Sequence, residues 1–374
     1  MLNVLHLINY PGKGGSERYI LSLAEKLHDN KCKFYVAYSE DGPMLRQVRK
    51  LGIKTFKIAM KSPYDFKAAW QVKKLCRELS IDIVHTHFLR ENYIGVLSKL
   101  LGNRVVLVNT GHLLAKKNIL VKFTDLLFSA ATDEIIAVSK AVRDMLVSQG
   151  IRPSKISVIY NGVDLDYWKG ERSLKAREDF EIGDQEFVVT SVARFSEEKG
   201  HIFLMEAIKQ FLKMRKKSDK GFAKKVRFLL VGDGENLEHC KGLAGMMGIS
   251  DSVIFAGFRK DVRSILHSSD LYVSHSMSEA LGISILEAMA CGLPVVATNS
   301  GGPSEIINAE NNCGILVECG DTDGFAAAIH KIVNDTELYN TYRENAIKIV
   351  EKEFNLDNTA ESTYNLYIKG LKRY

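Results

Sequence analysis

Two carboxylates, Glu279 and Glu287, bracket the segment Ala280-Leu281-Gly282-Ile283-Ser284, where a glycine turn runs into an apolar stretch. That stretch predicts a helix over Ile283–Ala290, followed by a buried strand over Val295–Thr298. The N–H groups at a helix start have no intrahelical acceptor and attract phosphate. Flanking carboxylates accept hydrogen bonds from sugar hydroxyls. A ligand carrying both groups matches the pattern. Ser284-x-x-Glu287 also has the spacing of a capping box, in which the glutamate only satisfies the helix start. Spacing leaves both readings open.

Other residues offer complementary chemistry. Arg194 and Lys199 stand five positions apart just past the apolar run Phe187–Ala193. A guanidinium fork and an ammonium point charge suit a diphosphate, although ion pairs with Glu197 or Glu198 explain the same spacing. Near the start, Asn3–Ile8 leads into Tyr10-Pro11-Gly12-Lys13-Gly14-Gly15-Ser16-Glu17. This loop lets the backbone approach a ligand and opens a helix with Ser16 as the expected N-cap. It is neither GxGxxG nor GK[ST], so neither nucleotide fingerprint applies. His85 and His87 form HxH at a strand end with no third or fourth ligand close in sequence, so no metal is expected. His112, after Asn109-Thr110-Gly111, is the better candidate for a ligand-facing polar group. The pairs Asp164/Asp166 and Asp321/Asp323 read as turn and cap residues.

The elements that must position these groups alternate along the chain. Short β-branched runs are separated by amphipathic segments such as 16–27, 66–79, 91–101 and 140–149, then 202–214, 237–247, 324–333 and 337–353. This is the pattern of parallel sheets covered on both faces. Thirteen candidate strands and 374 residues fit two doubly wound α/β domains better than one. The turn Asn161-Gly162-Val163-Asp164 marks the expected boundary, and ligands of such sheets bind at the carboxyl ends of the strands, here in a cleft between the domains. The basic stretch 213–225 reads as a solvated loop.

Composition is that of an ordinary globular protein, with 46% hydrophobic and 26% charged residues. The net charge of +6 conceals an asymmetry: residues 1–163 hold 25 Lys/Arg against 13 Asp/Glu. A basic half fits an anionic partner such as a phospholipid surface or a phosphorylated acceptor, and equally fits solvated helix faces. Six scattered cysteines without CxxC predict buried reduced thiols. No signal peptide and no membrane-spanning run is visible. A cytoplasmic protein follows, with at most peripheral contact with a membrane.

Taken together, these motifs resemble the family 4 retaining glycosyltransferases, which have the GT-B architecture of two tandem Rossmann-like domains. The resemblance spans the chain: Gly14-Gly15-Ser16-Glu17, Thr110-Gly111-His112, Tyr160-Asn161-Gly162-Val163-Asp164, Arg194…Lys199-Gly200, Val231-Gly232-Asp233-Gly234, Gly257-Phe258, Glu279…Glu287 and Gly301-Gly302-x-x-Glu305. It implies an acceptor domain over 1–163 plus about 356–374, and a donor domain over 164–355. The last helix would cross back onto the first domain.

The resemblance also implies the roles. Arg194 and Lys199 hold the donor diphosphate with backbone at Leu281, Gly282 and Ile283. Glu279 contacts the transferred sugar and Glu287 the ribose. Gly232 joins the donor site, and Phe258 and Arg259 lie against the base. Gly14 and Gly15 approach from the acceptor domain, His112 lies beside the donor sugar, and His85 and His87 face the acceptor side. Ala280-Leu281 departs from the family, where an aromatic or a glycine is common.

The expected reaction is metal-independent and retaining, with no cofactor. It moves a hexose or N-acetylhexosamine from a nucleotide-diphospho-sugar, a UDP-sugar in the favoured reading, to a glycan or polyprenyl-diphosphate-linked acceptor. Cell-surface polysaccharide biosynthesis is the expected setting. The alternatives are a nucleotide-sugar epimerase of the same architecture and a non-catalytic nucleotide-binding protein. A nucleic-acid partner is not expected, because the second half is acidic and has no RNA-binding aromatic motif.

Overall fold

The computed structural model describes residues 1–12, 14–114, 119–217 and 225–373. They form two compact units, Met1–Gly162 with Leu356–Tyr374, and Val163–Asn355. The first holds strands β1 (Leu2–Ile8), β2 (Cys32–Tyr38), β3 (Lys54–Lys57), β4 (Ile83–Thr86), β5 (Val106–Gly111), β6 (Glu134–Ala137) and β7 (Ile156–Val158). All are parallel, in the order β3-β2-β1-β4-β5-β6-β7.

Strand periodicity assigns the two faces of this sheet. Val4, Ile8, Phe34, Val36, Ile83, Val106 and Val108 pack beneath the helix Gly15–Leu27 and the C-terminal helix Leu356–Leu371. Leu5, Leu7, Tyr35, Val84 and Leu107 pack on the opposite face with Ala69, Val72 and Ile94. The C-terminal helix belongs to this core through Ala360, Leu366 and Tyr367. Thr359 ties it to the end of the sheet, its hydroxyl donating to Tyr160 O and accepting from Gly162 N.

The second unit holds β8 (Phe187–Val192), β9 (Val226–Val231), β10 (Val253–Gly257), β11 (Leu271–Ser274), β12 (Val295–Thr298) and β13 (Gly314–Val317). These are also parallel, ordered β10-β9-β8-β11-β12-β13. Phe211 and Ile208 of the helix His201–Lys217 meet Phe325 and Ile329 of the helix Thr322–Asn334 over one face. Both sheets reverse strand order once, at β1/β4 and at β8/β11, which is where doubly wound folds bind ligands.

Some expectations need correction. The helix His201–Lys217 runs well into the basic stretch read as a loop, because Lys and Arg are good helix formers; residues 218–224 of that stretch lie outside the described residues. Ser16 is not the N-cap of the first helix. Gly14 holds that position, and the Ser16 hydroxyl donates to Glu17 Oε2 at 2.8 Å. The aspartate turns are caps, with Asp164 accepting from Asp166 N and Asp321 from Gly324 N. All six cysteines are free thiols.

Candidate active site

In the second unit the candidate residues gather at the carboxyl edge beside the β8/β11 reversal. β8 runs out through Ala193 to Arg194, and the loop after β9 crosses directly over it. That crossing requires glycine: Gly232 has φ +147°, and a Cβ there would stand 1.9 Å from Ala193 O. Phe195 N donates to Asp233 O at 3.0 Å, and the fully buried Phe195 ring stacks on His201 at 3.8 Å.

The short turn Glu197–Lys199 is then fastened to the end of β11. His275 Nδ1 donates to Lys199 O at 2.6 Å, which leaves Nε2 to accept from the Ser191 hydroxyl at 2.9 Å. Burial lowers the His275 pKa to about 4, so the ring stays neutral in this role. Met277 N donates to Glu198 O at 2.8 Å. With both backbones fixed, Lys199 Nζ reaches Glu279 Oε2 at 2.6 Å, and the Ser276 hydroxyl donates to the same oxygen. The Glu279 backbone is pinned in turn between Ser300 O and Gly302 N. Sequence reasoning missed His275 and Ser276, which carry no signal beyond following an apolar strand.

Beyond Glu279 the helix Ile283–Ala290 begins at Gly282, which adopts φ +100° and supplies no side-chain cap. Ser284 lies inside the helix, so Ser284 and Glu287 do not form a capping box. Glu287 is buried, and Leu281 points its side chain into the core. Arg194 behaves differently from Lys199: it pairs with Glu198 at 2.7 Å and remains exposed. Burial pushes the Glu198 carboxyl up, but its polar neighbours, the paired Arg194 guanidinium among them, outweigh it and bring the pKa down to about 2. Phe258 is exposed, whereas Arg259 donates to Ala256 O and lies over the Phe180 ring at 4.9 Å.

In the first unit the loop after β1 closes on itself, with Gly12 N donating to Glu17 Oε1 at 3.0 Å, and Gly14 and Gly15 start the next helix. Strand alternation puts His6 of β1, His85 of β4 and Thr110 of β5 on one face, with His87 and His112 just past the ends of β4 and β5, and the rings of Tyr19 and Tyr367 stand against this cluster. His87 contacts His6 at 3.0 Å and His112 at 3.1 Å through its two ring nitrogens. His85 sits between Tyr367 Oη and Thr110 Oγ1, each at 2.7 Å. His112 is half-buried at the edge of this cluster. Burial lowers the pKa of His6 and of His112 to about 3, and that of His85 and His87 well below the ordinary value.

Two expectations about HxH change. His85 and His87 are buried with their ring nitrogens engaged by protein groups, so they do not face an acceptor. A third imidazole does lie nearby, because His6 is the register partner of His85 across β1 and β4. Ligand atoms of His6, His85 and His87 come within 4.8 Å of one another. As a metal cradle the trio fits poorly: both nitrogens of His85 are already bonded, and its ring stacks on His87 at 4.5 Å, so the lone pairs do not converge.

The chain matches two family models in succession, "Glycosyltransferase Family 4" over residues 13–167 and "Glycosyl transferases group 1" over residues 173–349. It belongs to glycosyltransferase family 4. The chain is therefore a glycosyltransferase with the two-domain Rossmann-like fold. It is 26% identical, over 98% of its length and 97% of the relative, to an Escherichia coli UDP-Gal:alpha-D-GlcNAc-diphosphoundecaprenol alpha-1,3-galactosyltransferase. It is 25% identical to the Bacillus anthracis N-acetyl-alpha-D-glucosaminyl L-malate synthase, over 97% of its length and 96% of the relative. In fold it is similar to Anabaena HepE in complex with UDP-glucose, with a TM-score of 0.86 at 23% identity over all of both chains.

Proposed function

We propose that this glycosyltransferase moves a hexose or N-acetylhexosamine from a UDP-sugar to a lipid-linked or growing glycan, with retention and without a metal. The observation that carries the reading is the contact of Lys199 with Glu279 at 2.6 Å, next to the uncapped start of the helix Ile283–Ala290. A cation and free N–H groups there suit a diphosphate, and the adjacent carboxylate suits the hydroxyls of the sugar it carries.

In this reading Lys199, Arg194 and the backbone of Leu281–Ile283 stabilise the departing UDP electrostatically, which is what a leaving diphosphate needs. Arg194 exchanges Glu198 for the diphosphate when the donor binds. Glu279 holds the transferred sugar, Glu287 the ribose, and the Gly232 and Phe258-Arg259 turns the rest of the nucleoside. Gly14, Gly15 and His112 serve the reaction from the first unit. A front-face route through an oxocarbenium-like state accounts for retention without a protein nucleophile. The donor assignment draws on the UDP complexes of Anabaena HepE. The acceptor assignment draws on relatives named for diphosphoundecaprenol substrates, in Escherichia coli and Campylobacter jejuni.

No helix among the described residues is long and apolar enough to cross a membrane. A surface contact with an anionic bilayer is instead supported by exposed apolar residues on the first unit: Tyr64, Phe66 and Trp70, with Phe123 and Leu127. The Tyr64 ring packs on Phe128 at 6.0 Å, which joins the two segments, and Lys61, Lys67 and Lys122 of the same segments are exposed.

Thermal shift across UDP- and GDP-sugars, followed by detection of nucleotide release with a polyprenyl-diphosphate glycan, tests the reaction. UDP-sugar binding and acceptor-dependent UDP release are expected. Stabilisation by GDP-sugars alone, or interconversion of donor epimers without release, overturns it. Flotation with phosphatidylglycerol vesicles at low salt tests the bilayer contact, and absence of binding refutes it.

A further inference from the structure

We propose that His6 and His87 are positioning residues for His112, forming a three-imidazole relay that turns Nδ1–H of His112 toward substrate as a neutral hydrogen-bond donor. The proposal rests on the reading of His112 as a substrate-contacting residue and assigns how that contact is set.

The geometry fixes the connectivity. Nδ1 of His6 meets Nε2 of His87, and Nδ1 of His87 meets Nε2 of His112. The rings of His6 and His87 stack at 5.3 Å and 14°, those of His87 and His112 at 5.4 Å and 27°. Tyr19 closes the cluster edge-on, 5.3 Å from the His112 ring. Since Nε2 of His112 is taken by His87, only Nδ1 is left to meet a ligand.

Burial keeps these rings neutral, each with a single N–H. Each contact between rings then needs one N–H and one lone pair, so the protons move as a set. Either all three lie on Nδ1 or all three lie on Nε2. His6 breaks the tie. Its Nε2 is buried and finds no hydrogen-bond partner among the described residues. Protons on Nε2 would strand an N–H there, whereas protons on Nδ1 leave only a lone pair, the milder of the two defects. The Nδ1 set therefore prevails, and it ends in His112 Nδ1–H. That group donates to a sugar hydroxyl, carbonyl or phosphate oxygen and is not free to take a proton.

The test uses the full-length protein with histidine labelled in 15N and 13C, read by long-range 1H–15N correlation. Spectra assigned by single His→Gln variants are expected to show His6, His87 and His112 protonated on Nδ1. A bare Nδ1 on His112 overturns the relay while leaving the transferase reading intact. The variant His6→Phe, of similar size, is expected to give mixed tautomers at His87 and His112. Its kcat should fall about two- to tenfold, the worth of one hydrogen bond, with KM for acceptor unchanged. His6→Asn, whose amide can donate from the Nδ1 position, is expected to restore both. An unchanged His112 tautomer in His6→Phe also overturns the relay. Should His6→Phe fail to fold, the wild-type tautomers alone decide it. Full activity of His112→Ala refutes instead the substrate contact on which the proposal stands.

Discussion

Replacing Glu279 with glutamine separates the two jobs assigned to the donor site. Lys199 Nζ lies 2.6 Å from Glu279 Oε2, and both side chains are largely sheltered, at 25% and 19% exposure. Any diphosphate that recruits Lys199 competes with this carboxylate. An ion pair that keeps some solvent contact is worth about 0.5–1 kcal/mol. Glu279→Gln removes that competition and keeps the shape, so UDP alone is expected to bind about two- to fivefold more tightly.

Transfer responds in the opposite sense. A hydrogen bond to a charged acceptor contributes about 1.5–3 kcal/mol, roughly twice a neutral one. Glutamine keeps an acceptor, so about half of that is lost, and kcat/KM is expected to fall about three- to tenfold. Calorimetric titration with UDP and initial-rate measurements with the UDP-sugar, on the same preparations, supply both numbers. Lys199→Met serves as the opposite control: it loses UDP affinity about tenfold or more, as expected for a lost charged contact. If Glu279→Gln weakens UDP in parallel with kcat/KM, the carboxylate acts on the nucleotide and the assignment of Glu279 to the sugar is wrong.

Gly232→Ala places a Cβ against Ala193 O at φ +147°, which costs about 3 kcal/mol or more. Calorimetry is expected to show a Tm lower by about 6–12 °C, and an unchanged Tm refutes the crossing of the two loops. Tyr367→Phe removes the hydroxyl bonded to His85 Nδ1 at 2.7 Å; urea unfolding is expected to show a loss of about 1–3 kcal/mol from one unsatisfied buried nitrogen. The pKa of His6 falls to about 3 through burial, so above its ordinary value near 6.5 both folded and unfolded states are neutral and stability is intact. As pH drops from there toward 3 only the unfolded state gains the proton, and this histidine alone takes away about 1.4 kcal/mol per pH unit. The urea midpoint of wild type measured from pH 7 to 5 should fall more steeply than that of His6→Phe, and parallel curves refute the buried neutral state.

The two sheets were legible because their signal is local: each strand is a short apolar run and each crossover an amphipathic one, and the parallel alternation allows few arrangements. The start of the helix at Ile283 was legible for the same reason. What spacing left open was decided by conformation. Ser284-x-x-Glu287 remained ambiguous until Gly282 occupied the N-cap position and placed Ser284 inside the helix. Arg194 and Lys199 looked alike as two cations past a strand, yet Lys199 is carried to Glu279 by hydrogen bonds from β11's end, while Arg194 turns to its neighbour Glu198.

The histidines show the sharper limit. HxH was visible and His6 was not, because a single histidine in the apolar run of β1 differs from its neighbours by one residue type and carries no periodic signal. Only the parallel register of β1 against β4 brings His6 opposite His85. Tyr367 reaches the same cluster from 282 positions away on the last helix. A polar group inside a core strand is costly unless it is bonded, and here each buried imidazole is bonded mainly to another imidazole or to a hydroxyl. These contacts leave two ring nitrogens over, the buried Nε2 of His6 and Nδ1 of His112 at the half-buried edge of the cluster. The residue that sequence could name is thus the visible end of an arrangement whose other members only the fold assembles.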